Sequence, residues 1–144
     1  MIRFVEKKDI GQVLSMMEEV KENFTGYQEA EFLDALETAI RNREAFLAEA
    51  EGELAGIISF SHEGKELAFL AVRPEFRKCG IGRSLIERVK SCFRSGEELS
   101  VVTFRAGDEK GIAARHCYHA CGFKDGEKLD VFDYPCQKLT VTIP

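Results

Sequence analysis

No run in this sequence approaches the roughly 18 consecutive apolar residues that a membrane-spanning helix requires, so no transmembrane segment is expected. The opening stretch MIRFVEKKDI mixes charges among its apolar residues and lacks a signal-peptide core, so a cytoplasmic setting is expected. There is no excess of basic residues. The formal net charge of −5 argues against general nucleic-acid binding, which needs a basic face. Repeats, linkers and low-complexity tracts are missing too, so residues 1–144 read as one domain. The five cysteines are an odd number without a secretion signal, which excludes a disulfide framework and points to reduced thiols.

What is present alternates between two periods. Residues 2–5, 45–50, 54–61, 66–72 and 99–104 read as strands, with two more near 128–133 and 137–143 around DYPC. Helical spacing covers a segment capped by Asp9 and carrying Ile10, Val13, Leu14, Met17 and Val20. It recurs over 28–42, after Gly82, and over 112–123 with Gly122 as the left-handed stop. The stretch 66–72, ELAFLAV, is nearly all apolar and is expected to be central and buried on both faces. The order β-α-α-β-β-β-α-β-α-β-β predicts an α/β or α+β sheet domain.

The segment RKCGIG, Arg77 to Gly82, lies between the apolar strand and a helix start. Glycines let backbone N–H groups approach an anion, and the helix adds its positive end. A Walker loop fails on spacing, because Arg83 follows Gly82. A dinucleotide fingerprint fails because Leu85 stands where its third glycine belongs. A pyrophosphate loop of the form R-x-x-G-x-G fits, with Arg77, Lys78 and Arg83 as screening charges.

The stretch LAVRPEFRKCGIGRSLIERV resembles the central motif of the GNAT family of N-acetyltransferases, and AARHCYHACGF resembles the family's second motif, A-x-x-x-Y-x-x-x-G-F. The resemblance runs along essentially the whole chain. It implies a GNAT-type mixed, mostly antiparallel central sheet flanked by helices, with strands 66–72 and 99–104 splayed around acetyl-coenzyme A (acetyl-CoA). It also implies cofactor contacts from Leu70, Ala71 and Val72 on the strand, and from Arg77, Lys78, Cys79, Gly80, Ile81, Gly82 and Arg83 in the loop. Gly111, Ala114 and Tyr118 in the second motif complete that set. Gly111 departs from the family, which often has asparagine there to hold the pantetheine arm.

The resemblance further implies that Tyr118 is a general acid for the departing thiolate and that Glu66 is a general base. A base is needed because an amine of pKa near 10 is mostly protonated at neutral pH. The plain alternatives are a tyrosine packed on its helix and an exposed strand-start glutamate. A backbone N–H from a bulge at 70–72 is expected to stabilise the oxyanion. Phe24, Tyr27 and Tyr134 are candidate acceptor-pocket walls, with Glu22 or Glu29 nearby; a helix staple and solvated charge would look the same. The expected function is direct acetyl transfer to a primary amine of a small molecule or peptide, with a non-catalytic acyl-CoA sensor as the alternative. Pairing into a homodimer through the C-terminal strands is frequent in such folds.

His116, Cys117, His119 and Cys121 look like a metal cluster, but His116 and Cys121 stand about 140° apart around a helix and cannot converge, so no metal is expected. Cys79, beside the loop's positive charge, is a candidate for a mixed disulfide with coenzyme A. A cysteine–histidine pair from Cys136 and His62 has no spacing to support it.

Overall fold

The computed structural model describes residues 1–24, 26–77 and 80–144. Its elements run β1 (Ile2–Phe4), α1 (Ile10–Val20), α2 (Glu29–Asn42), β2 (Ala45–Ala50), β3 (Glu53–Ser61), β4 (Glu66–Val72), α3 (Ile81–Lys90), β5 (Glu98–Phe104), α4 (Ile112–Ala120), β6 (Lys124–Val131) and β7 (Tyr134–Thr142). This is the order expected from the sequence. The strands form one sheet in the order β1-β2-β3-β4-β5-β7-β6, antiparallel except where β4 meets β5. No helix among the described residues is long and apolar enough to cross a membrane.

Alternation along the strands feeds two apolar layers. On one face Leu47 and Ile57 pack against Val13, Met16 and Met17 of α1 and Leu36 of α2. On the other, Phe46, Ile58, Leu67, Leu99 and Leu139 pack against Leu85, Ile86 and Val89 of α3 and Tyr118 of α4. Each such buried side chain contributes about 1.5–3 kcal/mol. The α1/α2 layer touches strands β2 to β4, whereas the α3/α4 layer reaches across β5 and β7.

Three local expectations are corrected. Asp9 precedes α1, but its carboxylate does not cap that helix. It is buried and accepts from both Arg3 Nη1 and Nη2, at 2.9 and 2.8 Å, and from the Glu6 N–H. The last hairpin turns at Phe132–Asp133, so that β6 and β7 begin earlier than 128 and 137. Both turn residues have left-handed φ, 51° and 61°, which a two-residue hairpin loop with the twist of its strands requires.

The third correction concerns β4. It is central, but it is not buried on both faces: Glu66 and Ala68 are exposed, and Phe69, Leu70 and Val72 partly so. The cause is its pairing. Strand β3 follows β4 along its whole length, while β5 pairs with it only at Glu66↔Ser100 and Leu67↔Val101. Beyond those two positions the parallel strands part. A bulge accompanies the opening: Ser59 faces Phe69 and Phe60 faces Leu67, leaving Ala68 unpaired. The expected bulge at 70–72 therefore lies earlier, at Ala68.

Candidate active site

The opening between β4 and β5 is bounded by the starts of the two helices that follow these strands. After β4, Pro74–Phe76 makes a single tight turn, and the Arg77 side chain donates from Nε to the Val72 carbonyl at 3.3 Å. Gly80 then adopts φ 80°, a left-handed conformation that favours glycine, and launches α3. The first helical bond runs from Ser84 N–H to the Gly80 carbonyl at 2.9 Å. The N–H groups of Ile81, Gly82 and Arg83 come before any helical partner is available and lie at the positive end of α3. Among the described residues, a Cβ on Gly80 would meet nothing within 4 Å. Lys78 and Cys79, and with them the proposed mixed disulfide, lie outside the described residues.

Glycines draw the walls together. A Cβ on Gly82 would lie 3.0 Å from Cys117 Sγ and 3.9 Å from Val72 Cγ2, so α3, α4 and β4 converge on this residue. Gly56, which sequence reasoning missed, does the same on β3: a Cβ would stand 2.9 Å from the Ala71 carbonyl and 3.3 Å from Ile81 Cγ2. Leu70, Ile81 and Ala114, one expected cofactor residue each from strand, loop and second motif, are partly buried against the α3/α4 layer together with Cys117, whereas the Ala71 side chain is buried in the α1/α2 layer. Gly111 has a steric explanation. A Cβ there would lie 2.7 Å from Phe104 Cβ, which leaves no room for an asparagine without moving the backbone.

Tyr118 sits in the same layer, 5% exposed, with its ring 5.7 Å from that of Phe123. Burial pushes its phenol well above the ordinary tyrosine range, so it stays protonated at neutral pH and is a weaker acid than an exposed tyrosine. Glu66 occupies the paired end of β4, exposed, with its carboxylate beside the 61–65 turn; a Cβ on Gly64 would lie 3.2 Å from Glu66 Oε1 and 3.3 Å from Ser61 Oγ. Alternation from Leu67 puts Glu66 on the α1/α2 face, opposite the layer that holds Tyr118.

That face carries an aromatic cluster. Phe69 of β4 stacks on Phe24 with centroids 4.5 Å apart and meets Phe32 at 5.0 Å, while Tyr27 lies 5.6 Å from Phe32. The Tyr27 hydroxyl is buried without a partner among the described residues, and burial raises its pKa. Tyr134 does not join this group. Its hydroxyl donates to Asp108 Oδ2 at 2.6 Å, and its ring meets Phe104 edge-on at 5.3 Å, at the end of β5. Gly26, between Phe24 and Tyr27 in the chain, packs against the exposed ring of Phe132: a Cβ there would lie 3.3 Å from Phe132 Cδ2. Phe32, Phe69 and Phe132 were not anticipated. Phe32 and Phe69 had readable signals, through the apolar face of the 28–42 helix and through a strand already singled out, whereas Phe132 had none.

Among the described residues, no group of three or more His, Cys, Asp and Glu could hold a metal ion. His119 is instead 2.8 Å from Asp125 Oδ1. His62 bonds Glu44 and packs on Phe60 and Phe93, whereas Cys136 lies in β7 opposite Phe104.

This geometry has counterparts among known proteins. Residues 13–123 match the family model described as "Acetyltransferase (GNAT) family". Similar solved structures include a GNAT-family acetyltransferase from Streptococcus agalactiae, 16% identical with TM-score 0.75, covering 99% of this chain and 94% of that one. Ard1 from Thermoplasma volcanium is 19% identical with TM-score 0.78, covering 100% and 97%. The ribosomal-protein-S18-alanine N-acetyltransferase from Escherichia coli is 19% identical with TM-score 0.74, covering 99% and 93%. At these identities the structures speak to the fold. A comparison with curated proteins finds no match. Glycine turn, parted strands and family model agree, and the chain belongs to the GNAT acetyltransferase family.

Proposed function

We propose that this protein transfers the acetyl group of acetyl-CoA directly to a primary amine of a small molecule or peptide. The observation that carries the reading is the parting of β4 from β5 beside the left-handed Gly80 turn and the α3 N-terminus. A pantetheine arm fits the unpaired edge of β4 from Phe69 to Val72, as an added strand would. A diphosphate fits the N–H groups at the start of α3, with Arg77 and Arg83 as neighbouring charges.

In this mechanism Glu66 accepts the proton of the acceptor amine through water. The free amine attacks the thioester carbon, and an N–H from the 70–72 stretch of β4 holds the oxyanion. The C–S bond then breaks as the attacking nitrogen gives its remaining excess proton to water, and Tyr118 supplies a proton to the departing sulfur and regains one from water. The opposed positions of Glu66 and Tyr118 suit an amine entering from the α1/α2 face and a thiol leaving on the other. The aromatic cluster at Phe24, Tyr27, Phe32 and Phe69 is the wall such an amine would meet, with Tyr134 further along β5. The free thiols at Cys92, Cys117, Cys121 and Cys136 suit a reducing cytoplasm.

The first test is thermal unfolding with acetyl-CoA, with ATP and NAD as controls. A ligand at 100 times its Kd adds about 2.7 kcal/mol, which raises Tm by roughly 5–12 °C in a chain of this size. A rise with acetyl-CoA alone supports the site. Equal responses to all three ligands, or none, would refute it. Turnover on an amine panel then separates the enzyme from an acyl-CoA sensor, which would show the rise without transfer.

A further inference from the structure

Arg115 is a charged residue on the buried face of α4, one turn before Tyr118 and only 6% exposed. Its guanidinium reaches three strands. Nη1 donates to the Phe104 carbonyl at 3.0 Å and to Gln137 Oε1 at 3.2 Å, and Nη2 donates to Asp125 Oδ2 at 2.9 Å. The partners are themselves held: Gln137 Nε2 donates to the Gly126 carbonyl at 3.0 Å, and Asp125 Oδ1 lies 2.8 Å from His119 Nε2, one turn further along α4. One side chain therefore ties α4 to the end of β5, to β6 and to β7.

This tie lies wholly on the β5 side of the seam between the two parts of the molecule. Strands β4 and β5 share two paired positions, and near the cleft α3 approaches α4 at Gly82 and Cys117. Phe104, whose carbonyl Arg115 holds, ends the strand that has parted from β4, and Gly111 presses on its side chain. The position of Tyr118 relative to β4 thus depends on how α4 is fixed to β5, β6 and β7. A buried guanidinium with four-element reach is a costly way to stabilise a fold, because apolar residues of similar volume often do as well.

We infer that Arg115 is a positioning residue for acetyl transfer, acting through α4 to hold Tyr118 and the β5 side of the cleft at a fixed distance from β4. This rests on the acetyl-transfer reading above. The device is coupled to Asp125, so loss of either partner should loosen the same geometry.

The test compares wild type with Arg115→Lys, Arg115→Met and Asp125→Asn. Thiol release from acetyl-CoA is followed with a panel of spermidine, lysine and a short peptide with a free N-terminus, well below each variant's Tm. Misplacing a reacting group by about 1 Å costs up to about 100-fold. The expected result is a kcat lowered about 10- to 100-fold in Arg115→Met and less in Arg115→Lys and Asp125→Asn. The KM for acetyl-CoA and the Tm rise on binding it should stay within about threefold and a few degrees of wild type. If Arg115→Met does not fold, the other two variants carry the comparison. Folded variants with wild-type kcat would overturn the inference while leaving the transfer reading intact. Wild type that neither binds acetyl-CoA nor releases thiol would overturn the transfer reading, and Arg115's role with it.

Discussion

Asp9 shows how one residue can be assigned the right place and the wrong task. It stands before α1 as a cap should, yet its carboxylate is bonded to Arg3, which also reaches Glu49 Oε1 at 3.1 Å and so ties the start of the chain to β2. The Arg3 hydrogen bond holds Asp9 below the ordinary aspartate value of 3.8. A depressed carboxylate contributes stability that is present above its unfolded pKa and lost as pH falls through the folded one. Wild type should therefore lose stability below about pH 4. Asp9→Asn should cost about 1.5–3 kcal/mol at pH 7 and show a shallower acid loss, read by urea denaturation across pH. The two proposed catalytic groups divide in the same way by environment. Tyr118→Phe should lower kcat with little change in acetyl-CoA affinity, and Glu66→Gln should flatten the acidic limb of the pH–rate profile. Tighter or weaker cofactor binding without a kcat change would make Tyr118 a packing residue, and an unchanged profile would remove Glu66. Arg115 left a faint trace in the sequence: an arginine three residues before Tyr118 falls on the inward face of α4. Its partners lie on β5, β6 and β7, and no local pattern names them.

At the scale of elements, periodicity carried far. Strands β2 and β4 begin and end where their alternation and flanking turns put them, because apolar period and turn residues agree at those points. The last hairpin did not, because neither Phe132 nor Asp133 is a glycine and the left-handed turn they form has no compositional flag. The apolar run of β4 was also misread, since a strand lining a cleft and a strand buried on both faces have the same composition. The glycines of the α3 turn separate two roles that the motif merges. Gly80 is needed for its left-handed φ of 80°, so Gly80→Ala should cost about 1–2 kcal/mol in stability and disturb the loop. Gly82 is needed for packing against Cys117, so Gly82→Ala should cost about 1–3 kcal/mol by overpacking α3 on α4. Replacing Cys117 with alanine in the Gly82→Ala background should recover part of that loss, whereas Gly80→Ala should not respond. Equal recovery in both would contradict the assignment.

At the scale of the whole molecule, the sheet has a protected outside and an incomplete middle. Its edges are the three-residue β1 and the β6 stretch KDGEKLDV, short in one case and charged in the other, so neither invites another strand. The order of elements was legible from periodicity, and the splayed pair from the resemblance to the family's motifs. The aromatic cluster proposed as the acceptor wall was legible only in part, because its side chains come from segments far apart in the chain. The two-position contact between β4 and β5 has a further consequence for the backbone's own protons. A sheet normally shields its central amides best, yet here the N–H groups of Leu70 and Val72, which alternate with those bonded to β3, face the side from which β5 has parted. Deuterium uptake should be fast at these two inner positions, rivalling the outermost strands, and should slow selectively when acetyl-CoA supplies the missing acceptors. The most central strand of this protein would then record the arrival of its cofactor, amide by amide.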